Sequence, residues 1–208
     1  KISKNSERII IYGAGRTDAG VHAWGQIAHF ELNVNLQTYE LQNALNGNLP
    51  KYCRIMQIEN VPKDFHSRFD AKSRQYLYQC YTGSSILNDN QAWILPSLDL
   101  DLLNVLAKYC IGLNNFLSFS KYNKDKKNTN CLVYEAYWLK NHQMFTFYIK
   151  ANRYLHHMIR YLVGSMIGVQ QGRISEFEYK TLLDNPRKNV KIFKAPSRGL
   201  ILEKINYE

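Results

Sequence analysis

The chain has 208 residues, in which 27 Lys and Arg outnumber 17 Asp and Glu and give a formal net charge of +10 at pH 7. Hydrophobic residues make up 45% of the sequence, which is enough apolar mass for a packed core and excludes the intrinsically disordered class. There is no run of 18 apolar residues and no apolar leader at the start (KISKNSERII), so we expect a soluble, cytoplasmic protein with no membrane partner, built as one large domain or two small ones.

The first part of the sequence predicts strands, a glycine-rich turn and one helix. Residues 8–12 (RIIIY) form a short β-branched run, and the turn GAGRTDAG separates them from a second strand-like stretch that ends at Glu31. In LQTYELQNALNGNLP, apolar residues recur every three or four positions before a Gly and a Pro, which predicts a helix. Two further strands are predicted in CRIMQIENV (53–61) and RQYLYQCYT (74–82).

The rest of the sequence predicts the same mixture of elements. The predicted helices are 99–111, 153–170 and 175–184, and the predicted strands are 131–140, 144–152 and 199–207. This element content predicts an α+β protein with two similar α/β halves and antiparallel sheets. We place the boundary so that residues 1–70 hold the glycine-rich turn and residues 71–208 hold the closing strand.

The cysteine spacing argues against a zinc site. The four cysteines stand about 20 to 30 residues apart, with no CxxC pair and no Cys/His cluster at zinc-ligand spacing. We therefore predict that all four are free thiols in the core: Cys53, Cys80, Cys110 and Cys131.

The positive charge is unevenly distributed along the chain. Residues 1–70 carry a net charge of +1 and residues 71–208 carry +9, with the densest cluster in the Asn-rich stretch KYNKDKKNTN, at Lys121, Lys124, Lys126 and Lys127. Clustered Lys and Arg attract phosphates, so a polyanionic partner is favoured. A merely solvated loop explains the lysine stretch equally well.

The segment from Gly13 to Gly20 does not fit the phosphate-binding patterns. A dinucleotide-binding fingerprint requires a third Gly where Asp18 stands, and a P-loop requires Lys after Gly20, where Val21 stands. What remains is a tight loop that allows close approach of a ligand and presents Arg16 two residues before Asp18. Taken alone, Asp18 also fits a structural role as the acceptor in an Asx turn.

The whole stretch GAGRTDAGVHAWGQIAHF resembles the signature of the TruA family of tRNA pseudouridine synthases, in which G-R-T-D-A-G-V-H is the most recognisable segment. The resemblance implies the pseudouridine synthase fold, with two halves joined around a central basic active-site cleft. It continues in order along nearly the entire chain, through NLP at 48–50, DFHSRFDAKSRQYLY at 64–78, NNFLSFSK at 114–121, ANRYLHHMIRYLVGSM at 151–166 and AP-x-x-GL-x-L at 195–202.

The resemblance implies roles for individual residues. Asp18 matches the aspartate on which the family's catalysis depends, and Arg16 matches the arginine that holds the flipped-out nucleotide's phosphate or replaces it in the stack. Tyr76 is implied to pack against the uracil, and Leu200 to line the base pocket. The implied catalytic residues are Asp18, Tyr76 and Arg160, and the implied substrate-binding residues are Tyr76, Arg16, Leu200, Arg68, Arg74 and His22.

The segment that carries Arg160 can also be interpreted from spacing alone. On a helix here, Asn152, His156 and Arg160 recur every four residues and share one polar face. A guanidinium on that face could pair with Asp18 and keep it ionised, or remain a surface charge. His156 and His157 are adjacent rather than four residues apart, which is not metal-site spacing, so core or RNA-facing roles are favoured.

The implied activity is isomerisation of uridine to pseudouridine at positions 38, 39 and 40 in the anticodon stem-loop of tRNA. The resemblance implies tRNA and a second copy of the chain as partners, and no metal or other cofactor. Which step the aspartate performs stays open between attack at C6, attack at C1′ and removal of a sugar proton. A non-catalytic RNA-binding module on the same fold is the alternative, and the joint presence of Asp18, Tyr76 and Arg160 disfavours it.

The start of the sequence departs from the family pattern. Family members begin with a strand, a turn and a helix bearing a Y-D-G…G-W-Q segment, and these 208 residues open almost directly at RIIIYGAGRTD. We expect this piece to be absent here, either because the sequence is a fragment or because the protein has lost the first strand of its N-terminal half. Its absence would leave RIIIY or the stretch around QIAHFEL as an unpaired apolar edge strand.

Overall fold

The structure is a computed structural model of the chain and describes residues 8–121 and 128–208. Its helices are α1 (Thr38–Asn46), α2 (Leu100–Lys108), α3 (Met158–Gln170) and α4 (Glu176–Asp184). Its strands are β1 (Tyr12–Gly13), β2 (His22–Ala23), β3 (Ala28–His29), β4 (Ser73–Thr82), β5 (Trp93–Leu95), β6 (Gly112–Asn115), β7 (Asn130–Asn141), β8 (Met144–Ala151) and β9 (Leu200–Asn206). The predicted α+β class with mainly antiparallel pairing is confirmed.

The described chain divides into two compact units that do not follow sequence order. Unit 1 comprises residues up to Ala14 together with Ile27–Asp70, and unit 2 comprises Gly15–Gln26 and Ala71–Glu208. Residues 15–26, which carry the GRTDAGVH motif, therefore pack with the second half of the chain although they precede the predicted boundary after residue 70. The division into two domains itself stays a prediction.

Unit 2 is built on a seven-stranded sheet. The strand order is β2-β9-β4-β8-β7-β6, and the short β5 pairs with the end of β4. Pairing is antiparallel from β9 through β6, whereas β2 runs parallel to β9 and β5 runs parallel to β4. The predictions for β4, β7, β8 and β9 are confirmed, whereas β5 and β6 were not predicted.

The core of unit 2 lies on one face of this sheet. Tyr78 and Cys80 alternate along β4 onto this face and are fully buried, together with Phe147 of β8. Helix α2 packs against β7, and α3 packs against α2 and α4. Each large apolar side chain that is fully buried here contributes about 1.5–3 kcal/mol, so this core stabilises the sheet on which the candidate site is built.

Helix α3 begins later than predicted, and the reason is tertiary. The predicted helix 153–170 begins at Met158, because the preceding residues bond to other elements instead. The Asn152 backbone N–H donates to the Leu132 carbonyl, and the Asn152 side-chain oxygen accepts from the Leu132 N–H. The prediction that Asn152, His156 and Arg160 share one helical face is therefore wrong, since the first two precede the helix.

Unit 1 contains β1, β3 and α1 among its described residues. β1 and β3 form a two-residue antiparallel ladder, and the Glu40 carboxylate accepts from the Gln37 N–H at the start of α1, which confirms the predicted helix. The predicted strand 8–12 is reduced to Tyr12, because no described strand pairs with residues 8–11.

The predicted strand 53–61 is also wrong. The side-chain amide of Asn46 takes the place of a neighbouring strand: its nitrogen donates to the Ile55 carbonyl, and its oxygen accepts from the Ile55 N–H, at 2.9 and 2.8 Å. Gln42 also donates to the carbonyls of Ile55 and Met56. Side chains of α1 thus satisfy the backbone of this stretch, so no ladder forms.

Three other sequence predictions have mixed outcomes. Cys80, Cys110 and Cys131 are buried as predicted, but Cys53 is exposed, because the stretch around it forms no core strand. The lysine-rich loop is only partly testable, because Lys124, Lys126 and Lys127 lie outside the described residues. Among the residues that the structure describes, no helix is long and apolar enough to cross a membrane.

Candidate active site

The segment 15–26 is held against β9 by its backbone. β2 pairs His22 with Ile201, and the Trp24 N–H donates to the Leu202 carbonyl at 2.8 Å. Gly25 is required here, because a Cβ atom at this position would lie 2.3 Å from the Glu203 carbonyl oxygen. The segment is therefore an extra, short strand at the edge of the main sheet.

Asp18 begins a tight turn in this segment. The Val21 N–H donates to the Asp18 carbonyl at 3.1 Å, and Gly20 has a φ of 78°, a conformation that glycine adopts without strain. A Cβ atom on Gly20 would lie 2.8 Å from the hydroxyl oxygen of Ser197. The turn thus fits closely against the loop that leads into β9, with the Asp18 side chain half-buried.

The Asp18 carboxylate is paired with the Arg160 guanidinium. Arg160 Nη1 donates to Asp18 Oδ2 at 2.7 Å, and the arginine side chain is only 11% exposed. Arg160 Nε donates to the Ala195 carbonyl at 2.8 Å, while the Ala195 N–H donates to the Arg160 carbonyl. The first bond holds the guanidinium and the second ties the Arg160 backbone to the same residue, so the carboxylate meets a positive charge that is already in position.

Two histidines complete the surroundings of the carboxylate. His157 Nε2 lies 3.2 Å from Asp18 Oδ2, and His156 Nε2 lies 3.6 Å from Asp18 Oδ1. His157 is the residue before α3 and has a φ of 66°, which is uncommon for a residue other than glycine. Burial lowers the pKa of His157 to about 4, although the Asp18 carboxylate opposes this shift, so the imidazole is neutral at pH 7.

Tyr76 lies on β4, on the same face as the core. Its ring meets that of Tyr154 edge-on, with centroids 5.1 Å apart. Burial raises the pKa of Tyr76 to about 12; the Arg74 guanidinium opposes this increase and the Asp18 charge adds to it. Tyr76 is therefore a neutral phenol at physiological pH, within the electrostatic reach of Asp18.

Leu200 opens β9 opposite Tyr78, and one cross-strand pair, Leu77 with Ile201, separates it from the pair formed by Tyr76 and Leu202. Directly opposite residues in an antiparallel pair have neighbouring side chains, so the residues of the two outer pairs share one face. Leu200 is buried and belongs to the apolar core. Leu200 therefore lies on the apolar side of Tyr76, where the resemblance implies that it lines a pocket.

Each of the other predicted binding residues has its own surroundings. Arg16 is exposed, and within the described residues no hydrogen bond or ion pair joins it to another side chain. His22 Nε2 lies 2.9 Å from the Asn90 carbonyl, to which it donates, and Arg74 donates to the carbonyls of Ala71 and Asn152. Arg68 belongs to unit 1, where its guanidinium lies over the Phe69 ring.

Sequence reasoning missed the contribution of the two histidines and of the Ala195 backbone. Helical spacing predicted that His156 and Arg160 share one helix face. In the structure His156 precedes α3, and its side chain contacts Asp18 from there. The adjacent pair His156–His157 was the signal in the sequence, but its partner is 138 residues away in the chain. Spacing within one segment cannot show such a partner.

Comparison with known proteins identifies the family of this chain. The family model described as tRNA pseudouridine synthase matches residues 1–70 and 106–208. The chain is 38% identical to tRNA pseudouridine synthase A of Chlorobium limicola, over 97% of this chain and 83% of the relative. It is 35% identical to tRNA pseudouridine synthase A of Ehrlichia ruminantium, over 100% of this chain and 85% of the relative, and 36% identical to that of Dictyoglomus thermophilum, over 97% and 84%. The chain therefore belongs to the tRNA pseudouridine synthase family.

Proposed function

We propose that this protein isomerises uridine to pseudouridine in tRNA. The observation that carries the proposal is the ion pair of Asp18 and Arg160, found in a chain of the tRNA pseudouridine synthase family. A fixed guanidinium keeps the half-buried carboxylate in one orientation and places a positive charge beside it. The relatives that are named tRNA pseudouridine synthase A support tRNA as the substrate.

The reaction needs a carboxylate, a target base out of its stack and a pocket that retains the detached uracil. The C1′–N1 bond breaks and a C1′–C5 bond forms, while C5 loses a proton and N1 gains one, so the product has the same atoms as the substrate. Enzymes that modify a base inside a folded nucleic acid take that base out of the stack. Asp18 is the group that we assign to the sugar or the base.

The neighbouring residues supply the remaining functions. Tyr76 packs against the uracil and, as a neutral phenol, donates or accepts a hydrogen bond without becoming a phenolate. Leu200 closes the apolar side of the pocket. The exposed Arg16 fills or braces the space that the flipped nucleotide leaves, and Arg74 and His22 line the approach of the RNA. Arg68 contacts the RNA from unit 1.

Release of tritium from tRNA transcripts that carry tritium at uracil C5 tests the activity directly. We expect the protein to release tritium in step with pseudouridine formation. Asp18→Asn keeps the size of the side chain and removes its charge, so turnover should fall by more than about 10³-fold while tRNA affinity stays within a few-fold. Binding of tRNA without tritium release by the unaltered protein would instead favour a non-catalytic RNA-binding module.

The finer substrate assignment is positions 38, 39 and 40 of the anticodon stem-loop. Transcripts that keep uridine at only one of these three positions test it, with a transcript that has uridine at none of them as the control. We expect tritium release from each single-uridine transcript and none from the control. Release from the control transcript would place the target elsewhere in the tRNA.

We also propose that the active form is a homodimer that holds one tRNA across a basic surface. The net charge of +9 on residues 71–208 supports a polyanionic partner. Light scattering after size-exclusion chromatography should give twice the chain mass of 24.4 kDa. A monomer that is fully active at the same concentration would contradict the dimer.

A further inference from the structure

We propose that Asp18, His156 and His157 form a binding site for a transition-metal ion of the zinc class, and that metal bound there inhibits the enzyme. The inhibition rests on the proposed function, because it requires Asp18 to be catalytic. The metal site itself rests only on the geometry of the three side chains, whose ligand atoms all lie within 4.8 Å of one another.

The distances suit one metal ion. Zinc binds His nitrogen and carboxylate oxygen at about 2.0–2.2 Å, so two ligand atoms of a tetrahedral site lie about 3.3–3.6 Å apart. His156 Nε2 lies 3.6 Å from Asp18 Oδ1, which is this separation, and His157 Nε2 lies 3.2 Å from the other carboxylate oxygen, Oδ2. The three ligand atoms lie within 4.8 Å of one another, so rotation of the His157 ring toward Oδ1 would place them at three corners of a tetrahedron, with the fourth corner open to water.

The donor set selects the class of metal. Two imidazole nitrogens and one carboxylate oxygen suit Zn²⁺, Ni²⁺ and Cu²⁺, whereas Mg²⁺ and Ca²⁺ prefer oxygen ligands throughout. His156 is 49% exposed at its side chain, so an ion reaches the site from solvent. His157 is largely enclosed, and its positive φ aims the ring at Asp18 rather than along α3.

Arg160 sets the strength of binding. Its guanidinium contacts Asp18 Oδ2, so the ion takes the other oxygen, Oδ1, beside a fixed positive charge. Repulsion by this charge makes the affinity weaker than that of a structural zinc site with four protein ligands. The expected behaviour is reversible inhibition by added metal that a chelator relieves, and not a resident cofactor.

Calorimetric titration of the whole protein with Zn²⁺ measures the site without any activity readout. A Cys53→Ser background removes the exposed thiol, which would otherwise bind zinc. We expect one zinc per chain, with affinity at least tenfold lower in His156→Asn and in His157→Asn. His142→Asn is the matched control, because Asn tolerates the positive φ of His142 and of His157 alike.

Spectroscopy and activity complete the test. Co²⁺ at the site should give the visible absorption of a tetrahedral ion with nitrogen and oxygen ligands, without a thiolate charge-transfer band. Zinc should inhibit tritium release in the same concentration range in which it binds, and His156→Asn should need at least tenfold more zinc, relative to its own metal-free rate.

Two outcomes overturn the metal site: no zinc binding in the Cys53→Ser background, or binding that is equal in His142→Asn, His156→Asn and His157→Asn. Binding that is lost in His156→Asn and His157→Asn without any inhibition supports the site and contradicts the catalytic role of Asp18. The failure of the metal site and the failure of the proposed function are therefore distinguishable.

Discussion

Two regions of unit 2 meet at Asp18, and they differ in how firmly their side chains are held. The region around the start of α3 is buried and bonded, with Arg160 fixed to Ala195 and to Asp18. The segment 15–26 is held mainly by its backbone, and Arg16 and Trp24 extend into solvent. One region holds the carboxylate in place in advance, and the other exposes Arg16 and Trp24 to a tRNA that has yet to bind.

The fixed region should be the more sensitive to substitution. Arg160→Met removes the partner of Asp18, so we expect turnover to fall by about 100-fold or more and the free energy of unfolding by about 1–3 kcal/mol. Arg160→Lys keeps the charge but has one nitrogen in place of the separate Nε and Nη1 donors that bond Ala195 and Asp18, so it should give an intermediate turnover. Tritium release and urea denaturation measure both effects. A turnover within threefold of the unaltered protein in Arg160→Met would remove the distinction between the two regions.

Substitution of the exposed Arg16 should lower the activity without lowering the stability. Arg16→Ala should lower turnover about tenfold, because a contact to the flipped nucleotide is lost, and should change the free energy of unfolding by less than about 0.5 kcal/mol. Arg54→Ala, which removes an exposed arginine of unit 1, is the matched control and should change neither quantity. Equal effects of Arg16→Ala and Arg54→Ala on turnover would mean that Arg16 contributes only to the general positive charge.

Alanine substitutions at Gly20 and Gly172 distinguish the effect of local backbone strain from the effect of moving Asp18. Gly20→Ala and Gly172→Ala both place a side chain at positive φ, so each should cost about 1 kcal/mol of unfolding free energy. Only at Gly20 would the new Cβ atom also meet Ser197, which displaces the turn that carries Asp18. Turnover, corrected for the folded fraction, should therefore fall severalfold in Gly20→Ala and stay unchanged in Gly172→Ala. Equal turnover in the two variants would show that the turn tolerates displacement.

The smallest expected effect is a pH dependence of stability from His157. Its pKa is lowered to about 4 in the folded protein, so between about pH 6.5 and pH 4 the unfolded chain binds more protons than the folded one. The free energy of unfolding should therefore fall as the pH decreases through this window, and His157→Asn should make the decrease shallower. Urea denaturation at several pH values, with chelator present to remove metal, measures this slope. An unchanged slope in His157→Asn would assign the acid sensitivity to other groups.

Local pattern was sufficient for the elements whose bonds are local or whose faces alternate regularly. The sequence pattern predicted β4 and the start of α2 to within one residue, although α2 ends at Lys108 rather than at residue 111. Pattern failed where a side chain from elsewhere satisfies the backbone. The Asn46 side chain bonds to the backbone of Ile55 in place of a partner strand, and the Leu132 backbone bonds to Asn152, which therefore lies outside α3. The spacing of apolar and polar residues in the sequence does not show either contact.

The candidate site was predictable in part for the same reason. The pairing of Arg160 with Asp18 was expected from charge, and the structure contains it, although the helical face invoked for it does not exist. The histidine contacts were not expected, because they depend on the reversal of the chain at His157. The roles of Asp18, Tyr76, Arg160, Arg16, Leu200, Arg68, Arg74 and His22 stay predictions until the variants are measured.

The position of β9 between β2 and β4 also governs when the site forms during synthesis. β9 spans Leu200–Asn206 and is the partner of β2 among the described strands, so the Asp18 segment joins the main sheet only after the residues of β9 have left the ribosome. The Asp18–Arg160 contact itself spans 142 residues of chain. Contacts of such long range form slowly, since the entropy of closing the loop is lost before the contact stabilises it. A nascent chain therefore displays its basic residues to RNA well before it can carry out any chemistry on it.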